Sequence, residues 1–167
     1  MPKNEQGVSR ERYQVIPRTL IFLTNEERIL LIKGSAHKRL WANLYNGIGG
    51  HVERGEDIFN SARRELMEES GLLCEDLWLC GSVMIDVEAT TGIHLFVFRG
   101  TYSGGTLCES HEGSLEWVPQ KDVLSYPLVE DLKTILPQVM ALQKGGMLFA
   151  RYHYDENERL VINCISR

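Results

Sequence analysis

Between Asp57 and Ser70 the apolar residues Ile58, Ala62 and Leu66 return every four positions, with Phe59 on their flank. That period admits a helix and excludes a strand. Gly71 follows, where helices commonly end in a left-handed residue that needs no Cβ. The same segment carries Glu65, Glu68 and Glu69. Side chains at i, i+3 and i+4 share a helix face, so the three carboxylates project together and repel by roughly a few tenths of a kcal/mol per pair. Two readings of the cluster stand on spacing alone. It is a solvated face partly neutralised by Arg63 and Arg64, or it gathers oxygen donors for a hard divalent cation.

Around this helix the pattern is mostly that of strands. "YQVIPRTLIFLT", Tyr13 to Thr24, is β-branched and apolar, with Pro17 predicting an edge or a bulge in its first half. A turn at "NEER" leads to "ILLIKG", Ile29 to Gly34, the second strand of a hairpin. "SAHKRLWANLYNGIGG" is a loop that ends in a glycine-rich turn, Asn46-Gly47 being its strongest signal. After the helix, "EDLWLCGSVMIDVEA" and "TGIHLFVFRGTYSG" read as two strands and Leu115–Val118 as a short one. Pro127 to Leu142 is a second helix that Pro137 should kink or divide. A closing hairpin turns at about Asp155 to Glu158, and Met1 to Arg12 is a loose lead-in. Hairpin, helix, strands, helix, hairpin is a mixed α/β or α+β order, and 167 residues suit one domain over 1–167.

A net charge of -5 opposes sequence-independent binding to a long nucleic acid. It leaves a small nucleotide open, because a bound divalent ion reverses the local field. Cys74, Cys80, Cys108 and Cys164 form no CxxC pair and are expected as free thiols in a reducing cytoplasm. No run approaches the roughly 20 apolar residues of a membrane span, so no membrane partner is expected; the expected assembly is a monomer or homodimer.

"NGIGG" lies just before the carboxylate helix. Its glycines allow close approach of the backbone, so a carbonyl can complete a metal shell and amides can meet a phosphate. The whole stretch resembles the Nudix hydrolase box, GX5EX7REUXEEXGU with U aliphatic. Gly50, Glu56, Arg64, Glu65, Leu66, Glu68, Glu69, Gly71 and Leu72 fill every specified position. The resemblance implies a Nudix-type α/β/α sandwich with a mixed central sheet and additional hairpins, spanning about Gln14 to Ile165. It also implies hydrolysis of a nucleoside diphosphate linked to another moiety, with Mg²⁺ or Mn²⁺. Glu65, Glu68, Glu69 and the Gly49 carbonyl match the family's metal ligands, and Glu65 also matches its base or water-orienting position. Glu56 is expected to hold Arg64 in an ion pair or to reach the metals through water; Gly50, Glu56 and Gly71 are structural positions of the box.

Outside the box, Glu112 is the nearest match to the loop carboxylate that adds a ligand or base in triphosphate-cleaving relatives. Glu109 is a poorer match, and Glu116 should alternate outward beside Trp117. Trp41, Tyr45 and Asn46 precede the glycine turn in the manner of MutT-like oxidised-purine triphosphate hydrolases, with Trp41 either lining a base pocket or an ordinary core or wall residue. Glu130 and Asp131 open the second helix, where they read a purine edge or merely favour the helix N-terminus. Lys33, Lys38 and Arg39 are phosphate contacts or surface charge. His51, His94 and His111 are too isolated for a zinc site. The implied reaction is cleavage of a nucleoside triphosphate, such as 8-oxo-dGTP, to monophosphate and pyrophosphate. ADP-ribose, dinucleoside polyphosphate or capped-RNA hydrolysis, and a non-catalytic Nudix binding module, are the alternatives. The second would be expected to have lost glutamates that this chain retains.

Overall fold

The computed structural model describes residues 2, 5–9, 11–37, 40–108, 110 and 112–167. Strands β1 (Gln14–Asn25) and β2 (Arg28–Gly34) form the expected hairpin, yet they pair only beside the turn, at Thr24–Ile29 and Asn25–Arg28. Beyond it they splay. The wedge is filled by β3 (Tyr45–Asn46), which pairs with β2 through Ile32–Asn46, and by the glycine turn. That turn bridges β1 at Ile21–Ile48 and Arg18–His51.

Helix α1 (Ile58–Ser70) follows the turn, and β4 (Leu72–Leu73) leaves it. Strands β5 (Trp78–Asp86) and β6 (Thr91–Thr101) form an antiparallel pair, and β6 runs parallel to β1 from Gln14–Thr91 to Thr24–Thr101. The short β7 (Gly104–Gly105) pairs with β4, and β8 (Gly113–Pro119) pairs antiparallel with β2. Helix α2 (Leu132–Ala141) precedes β9 (Leu148–Tyr154), which is parallel to β5, and β10 (Leu160–Ser166), which closes a hairpin on β9.

Alternation along β1 explains the layers. Leu20 and Phe22 pack with Leu132, Ile135, Leu136 and Val139 of α2, while Ile21 and Leu23 pack with Ala62 and Leu66 of α1. Each helix thus covers one face of a mixed sheet, as the α/β/α expectation required. Full burial of a Leu or Ile side chain contributes roughly 1.5–3 kcal/mol, so the apolar stripe of α1 anchors the carboxylate helix to the sheet.

Three expectations need correction. Pro17 lies neither on an edge strand nor at a bulge, because β1 is paired with β6 through Pro17–His94 without a break. The N–H groups of Thr19 and Ile21 point away from β6, to the Gly50 and Ile48 carbonyls. The absent Pro17 N–H falls on that same side and interrupts no β1–β6 bond. The second helix starts at Leu132 rather than Pro127, since Pro127–Val129 is held against β3: Tyr45 N–H donates to the Pro127 carbonyl, and Val129 N–H to the Tyr45 carbonyl. Pro137 does not divide that helix. Both Pro137 and Lys133, whose carbonyl loses its partner, face solvent, where water replaces the missing bond.

Candidate active site

Helix α1 is positioned by local chemistry at both ends. The Asp57 carboxylate accepts from the N–H groups of Phe59 (2.8 Å) and Asn60 (3.0 Å), which have no intrahelical acceptor. Gly71, at φ 71°, closes the last turn by donating to the Met67 carbonyl. Ser61 is fully buried on the apolar stripe, and its hydroxyl reaches the His51 carbonyl (3.3 Å), tying the helix to the preceding loop.

Arg64 collects the carboxylates. Its Nη2 and Nε donate to the two Glu56 oxygens (2.7 and 3.1 Å), and its Nη1 to Glu65 (2.8 Å) and Glu68 (3.1 Å). Nη2 also reaches the His51 carbonyl (3.1 Å). These bonds hold the Glu56 carboxyl down to about 2, helped by the Glu53 N–H, and raise the Arg64 pKa in turn. Glu56 therefore pairs with Arg64 in bidentate fashion, as one of the two expectations had it.

The glycine turn is shaped by what it must approach. Gly49 has φ 153°, and a Cβ there would lie 2.1 Å from the Thr19 carbonyl oxygen. Its N–H donates to a Glu69 oxygen (3.2 Å). A Cβ on Gly50 would sit 2.4 Å from Glu65 Oε1, so this glycine leaves the space in which the Glu65 carboxylate rests.

On the other side of the turn, Trp41, Asn46, Gly47 and Gly49 line one cleft with Glu69 and Glu112. The loop bearing Trp41 is pinned where Gly34 N–H donates to the Leu44 carbonyl and Asn43 N–H to Gly34. Trp41 adopts φ 59° and is half-exposed, a wall residue and not a core one. The Asn46 amide oxygen accepts from Gly47 N–H (2.8 Å). Tyr45 points elsewhere: its hydroxyl donates to outward-facing Glu116 (2.6 Å), which pushes the phenol up to about 12.

The second helix places its two acids differently. Glu130 is exposed. Asp131 occupies the N-cap of α2 without using its side chain as a cap, and burial raises its pKa. Beside it lies the buried Tyr152 hydroxyl, which makes no well-formed hydrogen bond among the described residues. Neither acid lines the cleft of Trp41 and Asn46, although the Val129–Tyr45 bond brings their segment next to β3. Lys33 lies over the Tyr45 ring at 5.6 Å, and the exposed His51 ring accepts from Arg18 (3.1 Å). His94 meets Ser82 (2.8 Å) on the sheet. Lys38, Arg39, Glu109 and His111 lie outside the described residues.

Over residues 15–139 the chain matches the NUDIX domain. It belongs to the Nudix family. The chain is 33% identical over 153 residues to the oxidized purine nucleoside triphosphate hydrolase of Danio rerio, covering 85% of this chain and 96% of that one. The Mus musculus protein of the same name is 34% identical over 100 residues, covering 59% and 63%. Among solved structures, the mutator MutT protein of Bacillus halodurans aligns with a TM-score of 0.77 over 90% of this chain and 97% of that one. At 24% identity that is a likeness of fold.

Nudix hydrolases generally use divalent metal ions, and the donor set here suits one. Its oxygens are hard, and the Gly50 cradle seats the Glu65 carboxylate against the turn. Among the described residues no three acidic, His or Cys side chains already converge as a metal cage. Glu65 and Glu68 are instead drawn to the Arg64 guanidinium, and Glu69 to the Gly49 amide. Sequence reasoning missed Thr19, Ser61 and Tyr152. Only Ser61 carried a signal, as a polar residue between Ile58 and Ala62 on the apolar stripe.

Proposed function

We propose that this Nudix hydrolase cleaves a nucleoside triphosphate, an oxidised purine one such as 8-oxo-dGTP, to the monophosphate and pyrophosphate, with Mg²⁺ and with Mn²⁺ as a substitute. The reading takes residues 1–167 as one domain and places it in the cytoplasm, which four free thiols favour. The observation that carries it is the shared cleft: the box carboxylate Glu69 and the loop carboxylate Glu112 line the same recess as Trp41 and Asn46. Acidic side chains that suit a metal-bound phosphate chain and an indole that suits a base thus face the same recess. The named relatives of Danio rerio and Mus musculus support the same substrate class.

In this account Glu65, Glu68, Glu69, the Gly49 carbonyl and Glu112 hold the metal. When bound, the ion lowers the pKa of the attacking water and offsets the phosphate charge. Arg64 fixes Glu65 through Oε1, leaving Oε2 to take the proton as water attacks phosphorus and the phosphoanhydride bond breaks toward pyrophosphate. Trp41 stacks the base, and Asn46 offers an amide to its edge. Asp131, with Glu130 beside it, lies outside the lining of that cleft and selects the purine from the segment that the Val129–Tyr45 bond holds next to β3. Burial raises the Asp131 pKa, and its carboxyl accepts a hydrogen bond and, when protonated, also donates one. Oxidation at C8 adds an N7–H donor and an oxo acceptor, and leaving one unpaired discriminates by about 1–3 kcal/mol.

The test is kcat/KM for 8-oxo-dGTP, dGTP and dCTP with wild type and Asp131→Asn. The expected order is 8-oxo-dGTP, dGTP, dCTP, with a spread that narrows roughly tenfold in the variant. Unchanged ratios would remove Asp131 from base selection, and a wild-type preference for dCTP would overturn the purine assignment.

A further inference from the structure

Strand β10 is the outermost strand of the sheet, and among the described residues nothing pairs with its outer side. Mutual bonds between Met147 and Arg167 (2.8 and 2.9 Å) fix which residues face β9. Alternation in an antiparallel ladder then turns the N–H and C=O groups of Leu160, Ile162, Cys164 and Ser166 outward. Exposed edges are normally blunted by charge, proline, bulges or short length. The edge strand β8 carries Glu116 and ends at Pro119. Strand β10, "LVINCIS", has no charge and no proline, and its register with β9 is unbroken.

The outward backbone groups of that edge are self-complementary. A twofold axis at Asn163 sets Leu160 against Ser166 and Ile162 against Cys164 of a second copy, so all four outward-facing residues gain partners. The non-hydrogen-bonded positions then pair Val161 with Ile165 and Asn163 with itself. On this face Ile165 (61% exposed) lies beside Phe149 (47%). Pairing from Phe96 through Ser82 and Phe149 to Ile165 puts both on the sheet face of Ile21 and α1, beyond the reach of that helix. At each end the turn bearing Asp155, Glu156 and Glu158 comes alongside Arg167 of the second copy, an acidic setting for the meeting of Arg159 and Arg167.

We propose that the chain self-associates by antiparallel pairing of β10 with β10 of a second copy, about a twofold axis at Asn163, continuing the sheet across both chains. The occupant of the edge is another copy of this chain, and the contact lies apart from the carboxylate cleft.

Cross-linking reads the register directly. In a non-hydrogen-bonded pair the Cα atoms lie about 4.5 Å apart, within the roughly 4.4–6.8 Å that a disulfide spans. In a Cys108→Ser background, Asn163→Cys should form a disulfide-linked dimer in a glutathione redox buffer. Val161→Cys, which faces Ile165 and not itself, should not. Sedimentation velocity of the wild-type chain should show a concentration-dependent dimer. Asn163→Lys, which sets like charges face to face, should weaken it by roughly tenfold or more while leaving nucleotide turnover, and the Tm of the dilute monomer, unchanged. A wild-type chain that stays monomeric up to its solubility limit would overturn the proposal. So would a dimer indifferent to Asn163→Lys, or cross-linking no faster at 163 than at 161.

Discussion

At Arg64 one guanidinium satisfies Glu56, Glu65, Glu68 and the His51 carbonyl. Arg64→Ala strands three neighbouring carboxylates, two of them, Glu56 and Glu65, largely shielded, and removing one partner of such a group leaves its desolvation uncompensated. The variant should lose activity and melt lower by roughly 3 °C or more in metal-free buffer; an unchanged melting curve would mean that the network is solvated and weak. The same network predicts a pH signature. Glu56 titrates near 2 when folded against an ordinary 4.5, so its contribution is complete above 4.5 and fades as pH falls toward 2. Glu56→Gln should flatten acid destabilisation across that window, measured by urea unfolding at stepped pH. The box glycines separate two kinds of contact. Gly49→Ala drives a Cβ into the Thr19 backbone and should lower both Tm and kcat, whereas Gly50→Ala meets the carboxylate end of the Glu65 side chain, displacing it from Arg64, and should lower kcat with less change in Tm.

Among the elements, α1 was legible because what marks it is local: the four-residue stripe and the left-handed Gly71, to which the structure adds the Asp57 cap. The carboxylate face followed from the i, i+3, i+4 spacing on that helix, and the Glu56–Arg64 pair was one of the two roles that the resemblance implied for Glu56. Pro17 was misread because the direction of a missing N–H depends on which neighbour the strand acquires, and its neighbour β6 lies some 77 residues away by the Pro17–His94 register. The start of α2 was misread for a related reason, since Pro127–Val129 is captured by β3. The cleft itself was not legible. Trp41 and Glu69 share it only because β1 and β2 splay beyond their turn and admit the glycine turn between them. Tyr152 beside Asp131 likewise depends on how α2 lies over β9.

For the molecule as a whole, two apolar layers on opposite faces of one sheet protect what they enclose. Burial pushes the Cys74 and Cys80 thiols up to about 12, so neither offers a thiolate near neutral pH, while Cys108 is exposed. Iodoacetamide should label Cys108 in the native chain and reach Cys74 and Cys80 only on unfolding; peptide mass mapping of a time course would reveal early labelling at either buried site and thereby an open core. The central claim is that the carboxylates of α1 and the wall of Trp41 and Asn46 form one triphosphate-cleaving site. It is tested most directly by separating the products formed from a nucleoside triphosphate panel by wild type and Glu69→Gln, each with Mg²⁺, with Mn²⁺ and with neither. The account predicts monophosphate and pyrophosphate from wild type only with metal, and a Glu69→Gln enzyme that stays folded while kcat falls far more than affinity. Tight nucleotide binding without turnover under either metal, or a Glu69→Gln rate within about threefold of wild type, would contradict it.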